Sequence, residues 1–184
     1  MEATATLVAE RGYHQVGVDE IGAAAGVTGA AIYRHFSGKQ ELLVAVIERA
    51  VDALMGEARR IVGTAPSPAA AIDALVSAHV RFALTETALI TVYDQEAHNL
   101  ADLPRRRLRR QQRAYTELWI DELAKVVPDE PHDALRVVVQ GVFGLVNSVA
   151  DHHVRLAGDG AADLLGTMAR ASLAPMLEGR PSAV

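Results

Sequence analysis

Apolar residues recur three and four positions apart along nearly the whole chain, the spacing of one helix face rather than of a strand. Val18, Ile21 and Ala25 form the first clear stripe, and Gly26 ends it. Ile32 and Phe36 resume the spacing, and Leu42, Leu43, Val46, Ile47, Ala50, Leu54 and Ile61 carry it through a longer helix to about Val62. The loop 63–68, GTAPSP, interrupts the pattern. Beyond it the spacing predicts helices over 69–84, 86–98, 105–127, 132–156 and 161–177, with a turn over 100–104. A helix over 1–11, closed by Gly12, precedes them all, and 179–184 reads as a loose tail. The fold class is all-α.

The stretch 137–150, VVVQGVFGLVNSVA, has no polar face and must be covered nearly all round. It is too short to span a membrane. A small domain cannot cover its last two helices from within, so they are expected to meet the same two helices of a second chain in a four-helix bundle. Val138, Val142, Leu145, Val149, Leu165, Met168 and Leu173 are the expected interface residues. The competing reading makes 137–150 the central core helix of a monomer.

The stretch 18–39, VDEIGAAAGVTGAAIYRHFSGK, reads as two short helices joined by a tight turn, with a third beginning at once. Asp19 and Glu20 sit where negative charge suits the helix dipole. Gly26 supplies the left-handed conformation that ends a helix. Val27 is expected to return to the core, and Thr28 to cap the second helix through its side-chain oxygen. Ser37 is expected to cap the third, with Gln40 completing a capping box. The second helix, 29–36, turns Ile32 and Phe36 inward. It leaves Gly29, Ala30, Tyr33 and Arg34 outward and Ala31 and His35 near the edges.

A helix of this kind suits a DNA major groove. Small residues admit the backbone, Arg34 has the fork that matches guanine, and Tyr33, His35 and Lys39 suit phosphates. The free amides beside Thr28 favour a phosphate as well. A tight helix pair in any small helical domain would show the same spacing, and spacing alone leaves both readings open. The net charge of −5 lowers the case for nucleic acid. Residues 1–49 set Arg11, Arg34, Lys39 and Arg49 against Glu2, Glu10, Asp19, Glu20, Glu41 and Glu48.

The residues of this region resemble the DNA-binding domain of the TetR family of one-component repressors. The resemblance rests on Tyr13 after Glu10-Arg11-Gly12, Ile21, Ala25-Gly26-Val27-Thr28, Tyr33-Arg34-His35-Phe36 and Lys39. It covers about the first quarter of the chain; the remainder is similar only in helical character and length. It implies an N-terminal three-helix helix-turn-helix domain over 1–49 and a C-terminal helical ligand-binding and dimerisation domain over 50–184. The implied function is a ligand-responsive transcriptional regulator, a repressor, that binds operator DNA as a homodimer in the cytoplasm. A small apolar or amphipathic effector would release it, and no cofactor or metal is expected. Relatives usually begin earlier with a basic stretch, so either the native chain starts upstream of Met1 or this arm is lacking. Gly17 stands where the family commonly has a hydroxyl cap and Gly22 where alanine is usual, which weakens the helix.

A regulator of this class needs a small-molecule site. The helices over 69–127 offer Phe82, Tyr93, Tyr115 and Trp119 among aliphatic residues, with His79 as a polar handle. An aromatic share of only 4% makes these few rings conspicuous. The cluster Arg105, Arg106, Arg107, Arg109, Arg110 and Arg113 reads as a solvated helix start, with an anionic ligand group as the minority reading. A helical enzyme or metal-carboxylate bundle using Glu96 and the histidines is the rival of another class. A family member that has lost DNA binding is a third reading. Asp94, Glu96 and His98 lie two apart and do not share a helix face. The chain carries no nucleophile elbow, zinc-protease, phosphate-loop or dinucleotide motif. It has no cysteine, so disulfides and thiolate metal sites are excluded.

Overall fold

The computed structural model describes residues 6–8, 11–97, 100–150 and 160–177, and no strand occurs among them. Residues 6–8 and 11 are helical. A 3-10 turn, Tyr13–Gln15, leads to α1 (Val18–Ala24), α2 (Gly29–Tyr33), α3 (Lys39–Thr64), α4 (Pro68–Thr85), α5 (Thr87–Glu96) and α6 (Asp102–Val126). Then come α7 (His132–Asn147), a 3-10 turn Ser148–Ala150, and α8 (Gly160–Leu177). The end of the helix expected to reach 156 and the tail expected over 179–184 lie outside the described residues.

Local chemistry explains most boundaries. Ser67 opens α4: its Oγ accepts from the Ala70 amide at 3.2 Å, and Pro68 fills the first helical position, where a missing N–H costs nothing. Of the turn expected over 100–104, residues 102–104 are instead the first turn of α6, because Pro104 still falls where no intrahelical N–H donor is needed. Gly26 has φ +72° and closes α1, as its sequence position predicts.

Packing divides the chain into two compact units. The first joins residues 1–53 to 86–111, and the second joins 54–85 to 112–184. This partition is not linear like the division expected at 49/50: α3 and α6 each run from one unit into the other. Within the first unit Val8, Val16, Ile21, Leu43 and Ile47 are buried, as are Leu89, Val92 and Leu108. Arg107 pairs with Glu48 at 3.4 Å and Gln111 donates to Asp52 at 2.8 Å. Both links span 59 residues of sequence, so α3 and α6 run in the same direction there. In the second unit α4 packs on α7 and α8, and α7 on α8. Leu75, Val76, Ile120, Leu123, Leu135, Val139 and Val146 form its core. Arg170 on α8 holds Asp73 and donates to Ser77 Oγ at 2.7 Å, tying α8 to α4. No single helix among the described residues is long and apolar enough to cross a membrane.

Candidate functional site

The first candidate surface is α2 with its flanks. The Ala31 amide donates to Thr28 Oγ1 at 3.2 Å, the expected cap. Ala30, Tyr33, Arg34 and His35 are exposed and Ala31 is half-buried. Arg34 ends α2 and has no ion-pair partner among the described residues, whereas Arg11 is paired with Glu20 at 3.2 Å.

Several expectations here need correction. Gly29 does not face outward: it is buried, and a Cβ there would lie 1.8 Å from Asp19 Oδ1. Gly22 faces it from α1, where a Cβ would meet the Gly29 amide and the Val27 carbonyl at 2.9 Å. These two glycines let α1 and α2 pack backbone to backbone, which offsets the lower helix propensity expected at Gly22. Val27 is 47% exposed rather than returned to the core, because its amide is turned back to the Gly22 carbonyl at 2.8 Å. Ser37 bonds to Glu41 rather than Gln40: its amide and Oγ donate to Glu41 Oε2 at 2.6 and 2.7 Å. Those bonds hold the Glu41 carboxyl below its ordinary pKa. Lys39 is not free to take a phosphate. Its Nζ donates to the carbonyls of Tyr13 and, at 2.8 Å, Val16, and lies 4.3 Å from the centre of the Tyr13 ring. It closes the carbonyl end of the preceding turn.

The second candidate lies wholly within the second unit. His79 on α4 sits among rings: Phe143 at 4.4 Å between centroids, Tyr115 at 5.7 Å, Trp119 at 6.0 Å and Phe82 at 6.4 Å. His79, Tyr115 and Trp119 are buried; Phe82 and Phe143 are half-buried. Tyr93, the remaining predicted ligand residue, is on α5 in the other unit. Phe143 and Asn147 of α7 were not predicted for this site. Their signal was the i, i+4 spacing and the polar interruption at Asn147, obscured by assigning that whole helix to an interface.

The cluster has unmade hydrogen bonds. Tyr115 Oη and His79 Nδ1 are 3.3 Å apart, but His79 Nε2, Trp119 Nε1 and Asn147 Oδ1 are buried with no hydrogen-bond partner. Each such atom costs roughly 1–3 kcal/mol. Burial lowers His79 to about 4, partly opposed by Asn147, so the imidazole is neutral at physiological pH. Burial also pushes the Tyr115 phenol well above its ordinary range; Trp119 opposes that and the negative charge of Glu57 adds to it. Asn147 is thus a hydrogen-bonding neighbour of His79, and Trp119 of Tyr115, in poorly aligned pairs that fall short of good hydrogen-bond geometry. A phenol that keeps its proton donates to Nδ1, which leaves the imidazole proton on Nε2.

Other features carry less chemistry. A surface cleft of ≈ 440 Å³ is lined partly by Glu57, Arg60, Asp73 and Arg81, but Arg81 pairs with Glu57 and Arg170 with Asp73. Within the arginine cluster Arg105 pairs with Asp102 and Arg107 with Glu48, while Arg106, Arg109 and Arg110 are solvated. Among the described residues no group of His, Asp and Glu is placed to hold a metal ion; His98 and 151–153 lie outside them.

The expected interface residues divide by position. Val142, Leu165 and Leu173 are buried inside the single chain and so are not its free surface, while Val138, Leu145 and Val149 are half-buried and Met168 is 46% exposed. The large apolar side chains left open on α7 and α8 are Val137, Leu164 and Met168. Along α7, beyond its exposed first residues 132 and 133, the exposed positions are 137, 140, 141 and 144, one helical face next to the one predicted.

A short exposed helix entered through a glycine-packed turn, a long helix after it and a helical second unit are joined by sequence similarity. Residues 1–46 match the family model described as bacterial regulatory proteins, tetR family, and residues 65–151 match a tetracyclin repressor-like C-terminal domain. The chain belongs to the TetR family. It is therefore a DNA-binding transcriptional regulator by family. The HTH-type transcriptional repressor KstR2 of Rhodococcus jostii is 27% identical over 99% of this chain and 89% of that protein. KstR2 of Mycolicibacterium smegmatis is 28% identical over 70% of this chain, spanning 63% of that protein, less than two thirds of its length. A solved structure of AibR in complex with isovaleryl coenzyme A and operator DNA shares the fold, with TM-score 0.73, 19% identity and coverage of 91% of this chain and 94% of AibR.

Proposed function

We propose that this TetR-family regulator is a repressor that binds operator DNA as a homodimer and releases it when a small apolar or amphipathic effector occupies its second unit. The observation that carries the reading is Arg34: an exposed guanidinium, unpaired among the described residues, at the end of a short helix that also exposes Ala30 and Tyr33, with His35 exposed just beyond. Thr28, Ala30, Ala31, Tyr33, Arg34 and His35 form the DNA surface, with Arg34 reading a base and the others positioning the helix on phosphates. Residues 1–49 serve as the reading head and 50–184 as the effector-binding and dimerisation part. KstR2 is named a repressor, and AibR was solved with both an acyl coenzyme A and operator DNA, which supports the same pairing of ligands here.

The dimer face we assign to Val137, Leu164 and Met168 with the exposed glycines 141 and 144, which admit close helix approach. Two-fold symmetry then matches paired operator half-sites. The effector must bind the arrangement that cannot hold DNA more tightly than the one that can. The chain would act in the cytoplasm beside its DNA, and the reading assigns no catalytic residue. Selection of DNA from a random pool tests it: a two-fold symmetric consensus is expected, and failure to enrich any sequence would refute it.

A further inference from the structure

The buried rings of the second unit imply more than an apolar pocket. Trp119 Nε1 is a buried donor without a well-placed partner, Tyr115 being its hydrogen-bonding neighbour, and His79 Nε2 is another when Tyr115 donates to Nδ1. Asn147 Oδ1 is a buried acceptor equally unused. A site of this composition is incomplete without an oxygen that accepts from the first two or donates to the third. Its surroundings also set that oxygen's charge. His79 and Tyr115 are neutral near pH 7, and the charge felt at Tyr115 is the negative one of Glu57. A carboxylate would enter without a counter-charge, whereas a neutral oxygen needs none.

Resting on the regulator reading above, we propose that the nest of His79, Phe82, Tyr115, Trp119, Phe143 and Asn147 is the effector site, and that it selects an uncharged, mainly hydrocarbon molecule carrying a carbonyl or hydroxyl oxygen. Phe82 and Phe143, half-buried at the margin, contact the hydrocarbon, and the unmade bonds of Trp119, His79 and Asn147 take the oxygen. A carbonyl satisfies donors alone; a hydroxyl can also serve Asn147.

Matched probes test this. Three frames (cyclohexyl, decalin and straight-chain decyl) are each offered as ketone, secondary alcohol, parent hydrocarbon and carboxylate to the full chain. Binding is followed by calorimetry and by emission of Trp119, the single tryptophan of the chain, which reports from inside the site. On at least one frame the ketone or alcohol should bind ten-fold or more tightly than both the hydrocarbon and the carboxylate, shift Trp119 emission, and weaken binding to the selected operator. The ketone-to-alcohol ratio identifies which oxygen is used. His79→Phe should erase that preference, Asn147→Leu should erase only the alcohol's share of it, and both should retain hydrocarbon binding; melting curves establish that each variant is folded, and if one is not, Asn147→Ala and His79→Leu take its place. Carboxylates binding best, neutral oxygen giving no advantage, or no frame binding would overturn the proposal. If the operator is bound and no neutral probe releases it, this inference fails while the regulator reading stands; if no operator is selected, the regulator reading itself fails.

Discussion

His79 should give the protein an acid weakness that can be removed by one substitution. The imidazole is 4% exposed and its pKa falls from 6.5 to about 4 on folding. The sign follows from proton counting. Below 6.5 the unfolded chain binds a proton at His79 that the folded chain refuses, so stability present above 6.5 is lost progressively as pH falls toward 4. At pH 4.5 the unfolded imidazole is almost fully charged and the folded one mostly neutral, which removes roughly 2–3 kcal/mol relative to pH 8. Carboxylates titrate too, but they do so in both proteins when wild type is compared with His79→Gln. Urea unfolding followed by Trp119 emission, at fixed protein concentration because a dimer unfolds by mass action, should therefore show a shallower pH dependence in the variant by that amount per chain. Equal losses between pH 8 and 4.5 in the two proteins would mean that His79 is hydrated or already charged, and the neutral-site argument would fail with it.

Arg34→Ala should relax base preference at one position of each half-site and cost on the order of 1–3 kcal/mol, read by repeating the DNA selection and by shift assays. Lys39→Met should lower the melting temperature, on the order of 2 kcal/mol, because charge-assisted bonds to the Tyr13 and Val16 carbonyls disappear; loss of DNA affinity without loss of stability would restore Lys39 to the phosphate surface. Val137→Glu, at a position 71% exposed, should sediment as a folded monomer, whereas Val142→Glu, 1% exposed, should unfold. Gln111→Ala should reduce the effect of a releasing ligand on operator affinity more than it reduces either affinity alone, as a double-mutant comparison with Asp52→Ala would show.

Helix type and order were legible from spacing because almost every helix buries one stripe, as Ile21, Leu43 and Ile47 do in the head and Leu75, Leu123 and Leu173 do beyond it. Thr28 and Gly26 were legible for the same kind of reason: a cap and a left-handed turn are local demands met by local residues. Lys39 was not, since its long stem reaches carbonyls more than twenty positions back and nothing in the neighbouring residues marks them. Gly29 failed similarly. Its spacing puts it outside, yet the approach of α1 buries it against Asp19. On α7 the apolar pattern was too uniform to say which side faces inward. Val137 is 71% exposed and Val139 fully buried, and a run of three valines cannot encode that difference. The aromatic nest was half legible: its rings on α4 and α6 stood out by rarity, but Phe143 and Asn147 lay in that uniform helix.

We propose that α6, continuous from Asp102 to Val126, carries an effector's influence to the head. Tyr115 and Trp119 belong to its second half and Arg107 and Gln111 to its first, and Trp119 lies about 18 Å along the helix axis from Arg107 at the helical rise. Arg107 and Gln111 hold Glu48 and Asp52 of α3, one helical turn apart on each helix. Lys39, at the start of α3, fixes that helix to the carbonyls that precede α1. Should α6 shift at Tyr115 and Trp119 when an effector binds, the two side-chain links would be the expected readout, as the Gln111→Ala and Asp52→Ala comparison tests. An exposed pair such as Glu48–Arg107 is worth little by itself, up to about 1 kcal/mol. That modest strength suits a switch, because a coupling of only ~1–3 kcal/mol already changes operator affinity roughly 5–150-fold, and links much stronger than the coupling would hold the head in one position whatever the effector did.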